Sequence, residues 1–296
     1  MDPLLPRLEV QEQRRRRRLL FRHNKIPVRM LVPNFFTLLS LCAGLTAIRM
    51  AIEQRYDLAV ALVVIAALLD GVDGRLARAL KAQSKFGAEL DSLADFVNFG
   101  VAPGVILFTW GLGGLPKGLG WIVALVFALA TGLRLARFNT MLEVEKPKWQ
   151  SDYFTGMPAP AGAITVLLPL YADGLGLFDV RALPWAIAVY TAAMAALLVS
   201  TIPTYSGKLM GERISGEFVL PMFVGVAALV ALLVTYPYAT LTVGTLLYLA
   251  AIPIGYRRFQ QKLREPVAQT AGAGEAAHAP GGGQDVGEMP AGETKH

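Results

Sequence analysis

LLDGVDGRLARALKAQSKFGAELDSLADFVNFG, residues Leu68 to Gly100, sets four aspartates, Asp70, Asp73, Asp91 and Asp95, into otherwise apolar sequence. A carboxylate at the centre of a membrane helix costs on the order of 2.5 to 3.5 kcal/mol, less near an interface, so a group of them calls for compensation. Helical geometry says where it comes from. Asp70 and Asp73 are spaced i, i+3 and Asp91 and Asp95 i, i+4, so each pair shares one helix face. The short link Lys81 to Phe86 predicts an antiparallel hairpin that brings both faces to one cavity. Hard oxygen ligands of this kind suit a divalent cation such as Mg²⁺, Mn²⁺ or Ca²⁺ rather than zinc. One such ion, or a pair about 4 Å apart, can neutralise the cluster and clamp a pyrophosphate. Gly74, Ala77 and Gly87 leave room for a bulky ligand against the backbone, and Arg78 offers planar donors to a phosphate.

Outward from this hairpin the chain is apolar. Of its 296 residues 54% are hydrophobic and 17% charged, and mean hydropathy is +0.46, a balance that excludes an ordinary soluble domain. A membrane helix needs roughly 20 apolar residues. Pro33–Ile52, Gly118–Phe138, Leu183–Ile202, Phe218–Thr235 and Tyr238–Ile254 meet or approach that, Pro158–Ala172 is more interrupted, and Leu58–Leu80 and Gly87–Leu112 carry the acidic residues. The expected fold is all-α and polytopic, with about eight transmembrane helices. Only about twelve apolar residues, or roughly 18 Å of helix, separate Asp57 from Asp70, which sets the acidic site in the cytoplasmic half of the bilayer.

Residues 1–32 are basic, with the run Arg14 to Arg18 followed by Arg22, Lys25 and Arg29, and the positive-inside rule keeps this end in the cytoplasm. Alternating helices then put Lys81, Lys85, Lys146, Lys148, Lys208, Arg213 and Arg257 on the same side, leaving Arg55, Lys117 and Arg181 opposite, so both termini are expected to be cytoplasmic. The arginine run either serves topology alone or also binds anionic lipid headgroups. No cleavable signal peptide is expected. Three segments follow: a basic juxtamembrane stretch 1–32, a membrane domain 33–257, and a largely disordered cytoplasmic tail 258–296 rich in Gly, Ala and Pro. Cys42 is the single cysteine, and His23, His278 and His296 lie in the flanks, so neither thiolate zinc chemistry nor a histidine base is expected in the membrane core. The glycine-rich stretch Gly111 to Gly120 follows no strand and reads as an interhelical turn, and no nucleic-acid partner is expected.

Asp70, Asp73, Gly74, Ala77, Arg78, Gly87, Asp91 and Asp95 together resemble, without departure, the CDP-alcohol phosphotransferase signature DxxDGxxARx(7 or 8)GxxxDxxxD. PNFFTLLSLCAGL, DSLADFVNFGVAPG, GLRLARFN, FTGMPAPA and IPTYSGK are further similar to the bacterial integral-membrane branch that acts on serine. The resemblance runs from about Pro33 to Lys208. It implies transfer of the phosphatidyl group of CDP-diacylglycerol to the L-serine hydroxyl, giving phosphatidylserine and CMP, at the cytoplasmic face of a bacterial inner membrane. It implies that Asp70, Asp73 and Asp91 hold one Mg²⁺ or Mn²⁺, that Asp91 and Asp95 help to hold another, that Asp95 is the general base, and that the protein is a homodimer. A serine hydroxyl needs its proton removed as it attacks phosphorus, which agrees with a base at the last carboxylate.

Gly74, Ala77, Arg78 and Gly87 are expected around the nucleotide diphosphate. Asn34 and Thr37 are also candidates there, with helix capping the other reading for Asn34. Asn98, Arg134 and Arg137 are candidates for the acceptor, the two arginines being equally readable as snorkelling anchors. Gly156, Met157, Pro158 and Pro160 are expected to shape a loop leading into the fifth helix. Two neighbouring readings stay open within the same chemistry: glycerol 3-phosphate or an inositol phosphate as acceptor. A cation transporter or channel would spread its carboxylates along a path rather than concentrate them in one hairpin. A purely structural role would pair the aspartates with Arg75, Arg78 and Lys81. The HxKxxxxD chemistry of unrelated synthases is excluded, since His23 and Lys25 are followed by Met30 where the acid belongs.

Overall fold

The computed structural model describes residues 28–141, 153–176, 179–200, 203–205 and 219–264. The candidate residues Lys146, Lys148, Lys208 and Arg213, the three histidines, the arginine run and the tail after residue 264 lie outside them. Helices dominate, in the order α1 (Val28–Ile52), α2 (Tyr56–Ala79), α3 (Lys85–Phe96), α4 (Ala102–Trp110), α5 (Leu119–Met141), α6 (Ala159–Val166), α7 (Leu168–Gly174), α8 (Pro184–Val199), α9 (Val219–Thr235) and α10 (Pro237–Arg264). Among the described residues four helical spans are long and apolar enough to cross a membrane: Leu31–Ile52, Lys85–Trp110, Pro116–Thr140 and Pro237–Arg257; Pro184–Val199 and Leu220–Thr235 are shorter apolar helices. Large apolar side chains face outward throughout, Phe35, Leu93, Leu129 and Leu133 each more than 60% exposed. That much exposed hydrocarbon suits lipid, not water, and with the long apolar helices it makes this a membrane protein.

The helical expectation holds with one addition. β1 (Tyr153–Thr155) pairs antiparallel with β2 (Pro203–Tyr205) in the register Tyr153↔Tyr205, Phe154↔Thr204 and Thr155↔Pro203. Phe154 and Thr155 of the FTGMPAPA motif thus pair with Thr204 and Pro203 of the IPTYSGK motif. Gly156 closes this ribbon with φ +79°, and a Cβ there would stand 2.8 Å from the Ser200 carbonyl oxygen. The break expected inside Pro158–Ala172 falls at Leu167, between α6 and α7. Pro169 has no N–H for the Thr165 carbonyl, which accepts the Tyr190 hydroxyl at 2.6 Å instead.

Small residues let the helices approach closely. α1 and α2 meet through Ala43, Ala47, Ala51, Ala59 and Ala66, all buried. α3 and α4 form one continuous rod through a π turn, Val97–Val101, closed by Ala102 N–H donating to the Val97 carbonyl. Pro103 explains the widening, because it cannot supply the i→i−4 donor that an unbroken α-helix needs.

The bundle has two polar ends of different character. At one end the Tyr56 hydroxyl donates to the Thr109 carbonyl at 2.9 Å, Arg181 lies over the Tyr56 ring, and the Tyr238 hydroxyl donates to Asp57. These contacts tie the start of α2 to the end of α4 and the start of α10. The other end holds the α2–α3 hairpin and the acidic residues.

Candidate active site

α2 ends at Ala79 and α3 begins at Lys85, so the expected hairpin forms, with Lys81 at φ +49° in its turn. Ser84 caps α3, its Oγ accepting the Gly87 N–H at 3.0 Å. With that geometry fixed, carboxylate oxygens of Asp70, Asp91 and Asp95 lie within 4.8 Å of one another. Asp70 and Asp95 are close enough to hydrogen-bond, and Asp91 faces both Asp70 and Asp73. Asp73 stands slightly apart, 3% exposed, and its Oδ2 accepts the Thr37 hydroxyl at 2.8 Å. Thr37 therefore orients a carboxylate, a task that the sequence did not reveal.

None of the four carboxylates forms an ion pair with Arg75, Arg78 or Lys81 among the described residues, where Arg49–Glu53 at 2.8 Å is the pair found. The cluster is not neutralised by packing. Converging acidic oxygens without an ion-pair partner are the donor set of a hard divalent cation, so these residues fit one.

Beside the carboxylates opens a cavity of about 540 Å³, to which Asp73 and Asp91 both contribute. Asn34, Thr37, Gly74, Ala77, Arg78 and Gly87, all expected around a nucleotide, line it. α1 begins at Val28, well before Asn34, which settles the capping alternative: Asn34 is an interior residue with its amide at the cavity wall. A Cβ on Gly87 would come within 2.9 Å of Asn34 Oδ1 and 3.0 Å of Ser84 Oγ, whereas one on Gly74 would meet only Arg78, at 3.8 Å. Gln83 and Phe138 also face this space and carried no sequence signal.

The three acceptor candidates separate. Arg134 stays at the site, facing Asp95 and Asp70 and stacking on Phe138 at 5.7 Å, with its Nε unpartnered among the described residues. Arg137 donates instead to the Val199 carbonyl at 2.7 Å, a cation at the C-terminus of α8. Asn98 is 1% exposed and donates to Ser40 Oγ at 2.8 Å, while Ser40 donates to the Ala66 carbonyl at 2.9 Å. Its other side meets Gly44, where any side chain would collide with it. Asn98 and Arg137 make contacts between helices, Asn98 Oδ1 has no hydrogen-bond partner among the described residues, and none of the three candidates belongs to the cavity lining.

Residues 30–202, which contain this hairpin and cavity, match a family model described as CDP-alcohol phosphatidyltransferase. The chain belongs to that family. A second model, described as CDP-alcohol phosphatidyltransferase 2, matches residues 217–253. Among similar proteins, the CDP-diacylglycerol–serine O-phosphatidyltransferase of Mycobacterium leprae is 40% identical over 227 residues, 75% of this chain and 73% of its own length. The protein of the same name from Mycobacterium tuberculosis is 39% identical over 231 residues, 77% of this chain and 78% of its own. The one from Bacillus subtilis is 34% identical over 180 residues, 60% of this chain and 89% of its own. All the residues that make up the family signature lie on the α2–α3 hairpin that builds the site.

Proposed function

We propose that the protein transfers the phosphatidyl group of CDP-diacylglycerol to the hydroxyl of L-serine, forming phosphatidylserine and CMP. The observation that carries this reading is the set of Asp70, Asp91 and Asp95 oxygens within 4.8 Å of one another, on the edge of a cavity large enough for a nucleotide. The names of the 34–40% identical relatives support serine as the acceptor.

In this mechanism Asp70, Asp73, Asp91 and Asp95 would hold Mg²⁺ or Mn²⁺. A bound divalent cation supplies charge stabilisation at the phosphoryl oxygens and the departing CMP. Gly74, Ala77 and Gly87 let the nucleotide approach the backbone, Asn34 contributes its amide to the cavity wall, and Arg78 donates to a phosphate oxygen. Thr37 keeps Asp73 in one orientation. Arg134, the acceptor candidate that stays at the site, binds the serine carboxylate. Asp95 takes the serine hydroxyl proton as the new P–O bond forms and the P–O bond to CMP breaks.

The same reading extends to placement. The membrane domain 33–257 crosses the bacterial inner membrane about eight times, with both termini and the acidic end in the cytoplasm, the arginine run on anionic lipids and a second copy completing a homodimer. Among the described residues, counting the α3–α4 rod and the broken pair α6–α7 as one stretch each groups the ten helices into eight, which supports the number of crossings. A site at the headgroup level lets the acyl chains of CDP-diacylglycerol stay in hydrocarbon.

The test is a labelled-serine assay on purified protein with CDP-diacylglycerol. Metal omission is expected to abolish product, and Asp95→Asn to lower kcat at least ~100-fold, within the range of a general base. Full turnover under chelation, or exclusive use of glycerol 3-phosphate or an inositol phosphate, would overturn the reading.

A further inference from the structure

The last helix, α10, lies outside residues 30–202 and carries two hydroxyl side chains, Thr245 and Tyr248, on the face packed against the bundle. Its inward stripe is Leu241, Thr245, Tyr248 and Ile252, packed against the core. Among the buried helical threonines, Thr131, Thr165 and Thr191 each donate to the carbonyl four residues back, and Thr37 donates to Asp73. Thr245 does neither. It is 2% exposed, and its hydroxyl has no hydrogen-bond partner among the described residues. A buried hydroxyl left without a partner costs about 1 to 3 kcal/mol, so its position asks for a ligand or a water.

Tyr248 lies one turn further along the same face and is an electrostatic neighbour of Arg134, whose guanidinium also faces Asp95 and Asp70. Depth agrees. The Tyr238–Asp57 hydrogen bond sets the starts of α10 and α2 at one level. From there Tyr248 and Asp70 lie roughly 15 and 20 Å along their helices. Tyr248 is thus the α10 side chain beside Arg134, with Thr245 one turn deeper, whereas the nucleotide cavity includes no α10 residue in its lining.

We propose that Thr245 and Tyr248 form the deep wall of the acceptor subsite, hydrogen-bonding a small hydroxylated amino acid whose carboxylate lies on Arg134. The proposal rests on the transferase reading above and deepens it. It divides the site into a nucleotide half built by α1–α3 and an acceptor half built by α5 and α10. A hydroxyl can both donate and accept, so the pair suits the mixed polarity of a zwitterion better than a purely anionic acceptor.

Kinetics of the full chain in detergent with CDP-diacylglycerol, Mn²⁺ and L-serine test it, with Thr245→Val, Thr245→Ser and Tyr248→Phe beside wild type. Thr245→Val and Tyr248→Phe are expected to raise the serine KM about 5- to 20-fold, the loss of one hydrogen bond to a polar ligand, with the KM for CDP-diacylglycerol within about twofold. Thr245→Ser, which keeps the hydroxyl, is expected to stay near wild type. Stabilisation of the CMP-bound protein by L-serine, read as a melting shift, should shrink in the same two variants. An unchanged serine KM in both, equal damage from Thr245→Ser and Thr245→Val, or a parallel rise in both KM values would each overturn the wall. Wild type that turns over only another acceptor defeats the serine reading instead, and the wall then stands or falls on that acceptor's KM.

Discussion

The two polar ends of the bundle solve the same problem in opposite ways. Around Tyr56 and Asp57, charged and hydroxyl groups find partners within the protein: Thr109, Tyr238 and the Tyr56 ring beneath Arg181. Around Asp70, Asp91 and Asp95, carboxylates converge without an ion-pair partner among the described residues, beside a cavity kept open by glycine. Pairing inside the fold adds stability, and withholding it leaves charge available for a ligand. Substitutions at the two ends should therefore sort into separate classes, one altering binding and turnover, the other stability alone.

The largest effect is expected from filling the cavity. Gly87→Val places branched carbon where even a Cβ meets Asn34 Oδ1 at 2.9 Å and Ser84 Oγ at 3.0 Å. Ser84 caps α3 and Asn34 is part of the cavity wall, so neither yields without loss. The KM for CDP-diacylglycerol should rise by about 10- to 100-fold, with the serine KM changed far less, and crowding of the Ser84 cap should lower the melting temperature as well. A lowered melting temperature with the KM for CDP-diacylglycerol unchanged would show that Gly87 serves helix packing alone and would break the contrast.

A smaller effect should follow Thr37→Val. The hydroxyl donates to Asp73 Oδ2 at 2.8 Å, and valine keeps its shape while removing the donor. Asp73 then loses its orientation, and the Mn²⁺ concentration for half-maximal activity should rise about tenfold, as for other outer-shell partners of metal ligands. An unchanged metal requirement with weaker CDP-diacylglycerol binding would return Thr37 to the nucleotide and sharpen the division of the site.

Local periodicity made the acidic hairpin readable, because i, i+3 and i, i+4 spacing fixes which side chains share a helix face. The helical stretches were readable from apolar length for the same reason. Contacts between distant segments were not. The β1–β2 ribbon joins residues 153–155 to 203–205, and strands of three residues carry no periodic signal. Arg134 and Arg137 share a helix face in the sequence, yet the end of α8 captures Arg137 while Arg134 faces the carboxylates without pairing with them among the described residues. Asn98 was legible as an acceptor candidate, but its donation to Ser40, its packing on the bare backbone at Gly44 and its unpartnered Oδ1 depend on neighbours far away in the chain. Thr245 and Tyr248 gave no signal, since a threonine and a tyrosine in an apolar helix are unremarkable until their neighbours are known.

The smallest effect should come from the opposite end, and it tests the comparison most directly. Tyr238→Phe removes the hydroxyl that donates to Asp57, keeps the ring against Tyr171, and leaves every residue of the acidic end untouched. Stability in detergent should fall by about 1 kcal/mol, the net worth of one hydrogen bond, because Asp57 must then find water. Turnover and both KM values should remain within about twofold of wild type, a change too small to count as lost transition-state binding. The same bond, however, sets the level of α10 against α2, and α10 carries Thr245 and Tyr248 toward Arg134. A rise in the serine KM without any change in the KM for CDP-diacylglycerol would mean that the tied end positions the acceptor wall, so that the two ends act as one device through the last helix.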